Sequence, residues 1–215
     1  MIKDEYRKMF DITDASKSTE EIAQQLLGHL LVKETDSGVM SGWIVETEAY
    51  LGYEDAAAHS YLGKRTPRLH SMYQKAGTVY IYQMHTHKML NIVTQPEGVA
   101  HAVLIRAVEP NEGEKLMQLN RKKNGVDLTN GPGKLTKALN ISMEDNGLSI
   151  FEKPLYLDLS KKLEPIHIEA SPRIGIPNKG EWTEANLRYT VSGNPYLSKK
   201  RGKVSMDNGW KTMLE

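Results

Sequence analysis

Glu46 and Glu48 are two carboxylates one residue apart within Trp43-Ile44-Val45-Glu46-Thr47-Glu48-Ala49-Tyr50, a run otherwise rich in apolar side chains. Read as a strand, it puts Ile44, Glu46, Glu48 and Tyr50 on one face and Trp43, Val45, Thr47 and Ala49 on the other. Carboxylates that point the same way beside a core can abstract a proton or steady a developing cation, but only if partners offset the cost of burying their charge. The same pattern also suits a half-exposed strand with a solvated acidic face, since Glu is rarely fully buried. Arg106, the only charged residue of Ala102 to Val108, is the guanidinium such a carboxylate needs, and Glu48 is its candidate partner.

From Ala56 to Pro96 the chain has no Asp or Glu, while Lys64, Arg65, Arg68, Lys75 and Lys88 are all basic. The whole chain carries 28 Lys and Arg against 27 Asp and Glu, so this local field is hidden in a net charge of +1. Tyr50, Tyr53, Tyr61, Tyr73, Tyr80 and Tyr82 fall between Tyr50 and His87, as do His59, His70, His85 and His87. Basic residues that attract phosphates, interleaved with flat rings that stack on bases, suit a nucleic-acid site, with Arg65, Arg68 and Lys75 as backbone contacts. Clustered tyrosines can also be plain core, and a basic loop can be plain surface.

Gly131-Pro132-Gly133-Lys134, ahead of a short amphipathic helix, could let backbone N–H groups and Lys134 approach a phosphate. A turn into a helix needs Gly and Pro in any case. His85-x-His87 could offer two imidazoles to a metal, but no third ligand stands near, and no metal or cofactor is expected. The chain has no Cys, which removes disulfides, thiolate catalysis and Cys-ligated zinc together. Neither a signal-peptide pattern nor an apolar stretch near the ~20 residues of a membrane span is present, so a soluble intracellular protein, independent of membranes, is expected.

The elements that must position these residues follow from local pattern. Residues 1–17 read as a loosely docked polar arm, and Ser18-Thr19-Glu20-Glu21 as a capping box opening a helix that ends at Gly28, with Ile22, Leu26 and Leu27 inward. Leu30 to Val32 reads as a strand, with Asp36-Ser37-Gly38 as the turn into the carboxylate strand. Thr78 to Met84 and Met89 to Val93 form a hairpin whose tip carries Met84, His85, Thr86 and His87. Glu112 to Lys123 reads as a helix with Leu116 and Leu119 inward, and Pro154 to Leu159, Ile166 to Glu169 and Arg188 to Ser192 as strands. One helical turn is expected near Glu54 to His59, and the basic run Lys199-Lys200-Arg201 suits either DNA or solvent. A chain of 215 residues suits a single domain.

Several stretches together resemble the alkyladenine (3-methyladenine) DNA glycosylase family. They are Ile44 to Gly52, Glu54-Asp55, Ala57 to Ser60, Thr66-Pro67-Arg68, Gly77 to Tyr82, Asn91, Leu104 to Pro110, Gly131-Pro132, Arg173 to Ile176 and Gly180-Glu181-Trp182, and they span most of residues 22–197. The resemblance implies a single α+β domain around a curved, mostly antiparallel, partly open barrel-like sheet, with surrounding helices and a protruding hairpin that enters DNA. It implies a monomeric, monofunctional base-excision-repair enzyme acting on double-stranded DNA with damaged purines, which are flipped from the duplex and cut at the N-glycosidic bond. Carried over by motif, Glu48 is the general base, and Arg106 and the backbone carbonyl of Ile174 help hold it and its water. Tyr50, His59 and Tyr82 enclose the flipped base, Asn91 crowds the 2-amino group of normal guanine, and Glu46 is structural. His85 stands where the family presents a tyrosine wedge, on a hairpin one residue shorter, with Met84 as the neighbouring candidate. Two other readings stay open: a nonenzymatic nucleic-acid-binding protein on a related fold, and a hydrolase of free nucleosides.

Overall fold

The computed structural model describes residues 11–199 and 202–212. Ser18 caps α1 (Thr19–Gln25): its hydroxyl accepts from the Glu21 N–H at 3.2 Å, and the Glu21 carboxylate accepts from the Ser18 N–H at 2.7 Å. Ile22, Ala23, Leu26 and Leu27 are buried beneath it. The chain reverses at Gly28, where φ is +84° and an added Cβ would fall 1.8 Å from the Leu163 carbonyl oxygen, so only glycine fits. Ahead of the helix, Ile12 is 1% exposed within the core while its neighbours in residues 11–17 are exposed or half-buried; residues 1–10 of the expected arm lie outside the described residues.

Strand β1 (His29–Thr35) turns at Asp36-Ser37 into the long β2 (Gly38–Tyr50). Then come β3 (Val79–Met84), β4 (His87–Val93), β5 (Ala102–Glu112), β6 (Leu155–Lys162), β7 (Ile168–Ser171) and β8 (Arg188–Val191). The sheet runs β3-β4-β5-β2-β1-β6, every pairing is antiparallel, and β8 joins β2 on one side and β7 on the other. β2 is therefore the hub, paired with β1 along its first half, β8 along its second and β5 throughout. This is the single α+β domain with an open, mostly antiparallel sheet that the sequence led one to expect.

The main core joins the sheet to α1, α2 (Glu114–Arg121) and α3 (Pro132–Ala138). Because β5 runs on to Glu112 and Gly113 bends the chain with φ +75°, α2 starts later than its sequence pattern suggests. Its phase then buries Met117 fully and leaves Leu119, expected inward, 74% exposed. Instead of one helical turn, Asp55 to Ser60 forms successive turns, and α4 (Glu181–Glu184) is a single short turn of helix. A smaller apolar cluster of Leu69, Met72, Tyr80, Val93, Ala100 and Ala102 lies apart from the main core, backed by Tyr73 and Tyr82. No helix among the described residues is long and apolar enough to cross a membrane.

Candidate active site

Two bulges aim the acidic strand. Between Ile44 and Glu46 the pairing of β2 with β5 advances only from Val108 to Ala107, and between Glu46 and Thr47 it jumps from Ala107 to Ile105, passing over Arg106. The first bulge breaks the expected alternation: Ile44 and Val45 both enter the main core, so the shared polar face begins at Glu46 instead of Ile44. The Thr47 hydroxyl on the opposite face donates to the Ala23 carbonyl of α1 at 2.9 Å. The second bulge frees the Arg106 side chain to reach both carboxylates. Its Nε donates to Glu46 Oε1 at 2.9 Å, its Nη1 to Glu48 Oε2 at 3.3 Å and its Nη2 to the Ser198 hydroxyl at 3.2 Å.

Both carboxylates are wholly buried, yet their surroundings differ. Glu46 also accepts from Arg188 Nε at 2.8 Å and from the Ser198 amide and hydroxyl at 2.6 and 2.7 Å. Burial pushes its carboxyl up, but Arg106, Arg188 and Ser198 together hold it below the usual carboxylate value. Glu48 accepts from the Ile174 amide at 2.7 Å and from the Tyr50 hydroxyl at 2.9 Å besides Arg106. For Glu48 burial wins over those donors, with Glu46 adding like-charge repulsion, and its carboxyl is raised. It is the amide of Ile174 that touches Glu48.

Tyr50, Arg106 and Ile174 also form one wall of a cavity of about 180 Å³, so Glu48 stands directly behind that wall. His59, Tyr80, Tyr82, Asn91, Met72 and Met89 line it as well, and the smaller apolar cluster is its floor. The His59 and Tyr82 rings meet edge-on with centroids 4.5 Å apart. Arg68 Nη2, which can only donate, lies 3.3 Å from His59 Nε2, so the other ring nitrogen carries the proton and donates to the Tyr80 hydroxyl at 3.1 Å. Burial, then Arg68 and Lys64, pull His59 down to about 4, which keeps it neutral at working pH. Asn91 spends its amide NH2 on the Tyr80 and Met89 carbonyls at 3.1 and 3.2 Å, leaving only its oxygen for a guest. Tyr80 joins this wall although the sequence marked only its neighbour Tyr82. The alternation that paired the two tyrosines was the available signal.

At the rim, the hairpin narrows to the two-residue turn His85-Thr86, with Met84 paired to His87. His85 has φ +54° and is exposed, Met84 is 50% exposed, and the Gln83 amide braces the tip by donating to the His85 carbonyl at 2.8 Å. Arg65 stacks 4.0 Å over the Tyr73 ring, Arg68 lies 5.5 Å from the Tyr82 ring, and Lys75 is exposed. The Lys134 ammonium is held by Asp127 at 2.5 Å and Asn130 at 2.8 Å. Gly133 has its own steric reason, because a Cβ there would lie 2.7 Å from the His87 side chain. Lys199 presents its carbonyl to Arg188 at 2.9 Å, while Lys200 and Arg201 lie outside the described residues. No group of three or more metal-ligating side chains converges among the described residues.

Comparison of the chain with known proteins gives its family. The family described as methylpurine-DNA glycosylase matches residues 13–195, and the chain belongs to that family. It is 55% identical to an Enterococcus faecalis protein over 199 residues, covering 91% of this chain and 87% of the relative. A Staphylococcus saprophyticus protein is 52% identical over 86% of this chain and 91% of its own length. One from Staphylococcus aureus is 48% identical over 91% of this chain and 98% of its own. All three relatives bear the name "Putative 3-methyladenine DNA glycosylase".

Proposed function

We propose that this chain is a monofunctional DNA glycosylase that hydrolyses the N-glycosidic bond of alkylated purines, and of etheno or deaminated ones, in double-stranded DNA. The observation that carries the reading is Glu48, fully buried and held by three donors directly behind the wall of an aromatic cavity. At about 180 Å³ the cavity falls below the roughly 300–1,000 Å³ of ordinary small-molecule sites, which favours one flat heterocycle over a whole nucleotide. A base inside a duplex cannot reach such a recess, so the nucleotide must be turned out, with Tyr50, His59 and Tyr82 enclosing it. The bulk of the Asn91 side chain then disfavours a purine with an extra amino group by occupying the space it needs.

In the reaction Glu48 takes a proton from a water, whose oxygen attacks C1′ as the bond to the purine nitrogen breaks; the bonding electrons leave with the base, and an abasic site remains. Positive charge grows on the sugar in this step, and the ionised carboxylate steadies it. A purine already made cationic by alkylation departs neutral and needs no added proton, whereas an etheno or deaminated purine departs as an anion and takes up a proton from water. Because Glu48 is covered by Tyr50, Arg106 and Ile174, the entering water must replace one donor, and the 3.3 Å Arg106 bond is the longest of the three. The cavity lining contains no lysine, which favours water over an amine as nucleophile. Outside the cavity, Arg65, Arg68 and Lys75 meet phosphates, and His85, with Met84 beside it, fills the gap left by the base.

One assay tests this reading: release of free base from duplexes containing 1,N6-ethenoadenine or a methylated purine, beside the matching free nucleosides. Release from duplex, falling as salt rises and unaffected by chelator, is expected. Binding without release would make the protein a nonenzymatic binder, and release from nucleoside alone a nucleoside hydrolase. A borohydride-trapped covalent adduct would replace water by an amine nucleophile.

A further inference from the structure

Asp55 and Arg173 form a second buried ion pair that is not itself part of the cavity lining and makes no hydrogen bond to Glu48, and both side chains are 0% exposed. The guanidinium grips the carboxylate with both arms, at 2.5 and 2.8 Å. One arm also donates to the Ala49 carbonyl at 2.9 Å, at the residue between Glu48 and Tyr50, and the other reaches the Trp182 carbonyl at 3.4 Å. Asp55 in turn accepts from the Leu51 and Ala57 amides at 3.0 and 2.9 Å. The pair thus knots the end of β2, the turn after it and the segment after β7.

Two of the three donors on Glu48 hang from this knot. Ile174, whose amide meets Glu48 Oε1, is the residue after Arg173. Tyr50, whose hydroxyl meets Oε2, lies under the guanidinium, 4.6 Å from its ring centroid to Arg173 Cζ. A buried ion pair is a poor device for stability alone, because apolar residues of similar size often do as well or better. Its value here is geometric. We infer that the Asp55–Arg173 pair is a positioning unit for Glu48, fixing the Ile174 amide and the Tyr50 ring so that the carboxylate keeps its orientation and its ionised form. The inference rests on the proposed role of Glu48 as base. Glu48 is faced by Glu46 and Tyr50 from β2, Arg106 from β5 and Tyr82 from β3, and Arg188 from β8 faces Glu46; none of these residues is itself substituted in the test.

The test uses the full chain with Asp55→Asn/Arg173→Met, which removes both charges and leaves neither unpaired, and with Arg173→Lys, which keeps the charge and loses the fork. Measured for each are the melting temperature, affinity for a duplex with an abasic-site analogue, and single-turnover excision across the acid-to-neutral range. The Glu48 carboxyl is titrated by carbon-13 NMR, assigned through Glu48→Gln. In the double variant excision should fall about 10- to 100-fold, the size of a lost hydrogen bond to a charged group, while affinity stays within about threefold. The acid limb of excision and the Glu48 titration should both move to higher pH, with Arg173→Lys between it and the unaltered protein. Unchanged excision and an unmoved Glu48 titration in a folded variant would overturn the inference. So would a loss of activity that follows melting temperature alone, which marks a mere clamp; if the double variant does not fold, Arg173→Lys decides by the same readouts. Should the unaltered protein release no base, the proposed function fails, while the NMR titration still judges the positioning role.

Discussion

Glu46 and Glu48 are the same residue type, on one face of one strand, sharing one arginine, and they have been given opposite characters. Around Glu46 the chain gathers Arg106, Arg188 and both groups of Ser198, and the carboxyl is held low. Around Glu48 it supplies one distant guanidinium nitrogen, an amide and a phenol, and leaves the carboxyl raised. A carboxylate saturated with donors has little basicity left to use, whereas one held by few and weaker donors keeps an appetite for a proton. The comparison teaches that the bulge at Arg106 divides labour: one nitrogen completes the nest around Glu46 and another touches the carboxylate proposed as the base.

The sharpest way to break the comparison is to remove each charge in turn. Glu48→Gln should lower base release by about 1,000-fold, within the usual range for a proton-transfer group, while lesion-duplex binding survives. Its stability at neutral pH should not fall. A carboxyl raised in the folded state contributes stability below its unfolded value and loses that contribution as pH rises through the folded one. Glu46→Gln should do the reverse, lowering stability by about 3 kcal/mol in denaturant titration because Arg188 loses its buried counter-charge and Arg106 keeps only Glu48. That contribution is present above the unfolded carboxyl value and disappears as pH falls through the lowered folded one, so wild type and Glu46→Gln should converge in acid. Equal effects of the two variants on both readouts would erase the distinction.

Smaller changes sharpen it. Tyr50→Phe removes a donor from Glu48 alone, so excision should fall about tenfold and its acid limb move to higher pH, with little change in melting temperature. Ser198→Ala removes one of the Glu46 bonds and should cost about 1 kcal/mol of stability with excision nearly unaltered. At the exposed tip, His85→Ala should weaken binding to an abasic-site duplex by about 1 kcal/mol and leave stability untouched, because the ring is exposed and its effect is felt only on DNA. Unchanged affinity there would transfer the wedge role to Met84.

What the sequence revealed of this arrangement depended on locality. The capping box at Ser18, the hairpin turn at Asp36-Ser37 and the common face of Glu46, Glu48 and Tyr50 are set by neighbours within a few residues, and each was legible. The Arg106 link to Glu48 was legible too, because a lone charge in an apolar strand demands a partner. Its stronger bond to Glu46 was not, since the bulge that aims Arg106 leaves no trace in the alternation. Asp55 and Arg173 are 118 residues apart and Glu46 and Ser198 are 152 apart, so no periodicity links them. The nearest signal was resemblance: Glu54-Asp55 and Arg173-Ile174 both lie in matched stretches, but nothing said that they meet. Leu119 was misplaced because helix phase depends on where a strand stops, and β5 stops later than its apolar run.

The Ser198 contact has a consequence in time as well as in space. During synthesis Glu46 and Glu48 leave the ribosome early, Arg106 follows, and the Ile174 amide, Arg188 and Ser198 come last. Until they arrive the sheet lacks β8, and the two acids share a single arginine between them. Contacts of such long sequence separation make for slow folding. A nascent chain, however well its first strands pair, cannot complete the surroundings of the carboxylate proposed to act on DNA until its last fifth has folded onto the sheet.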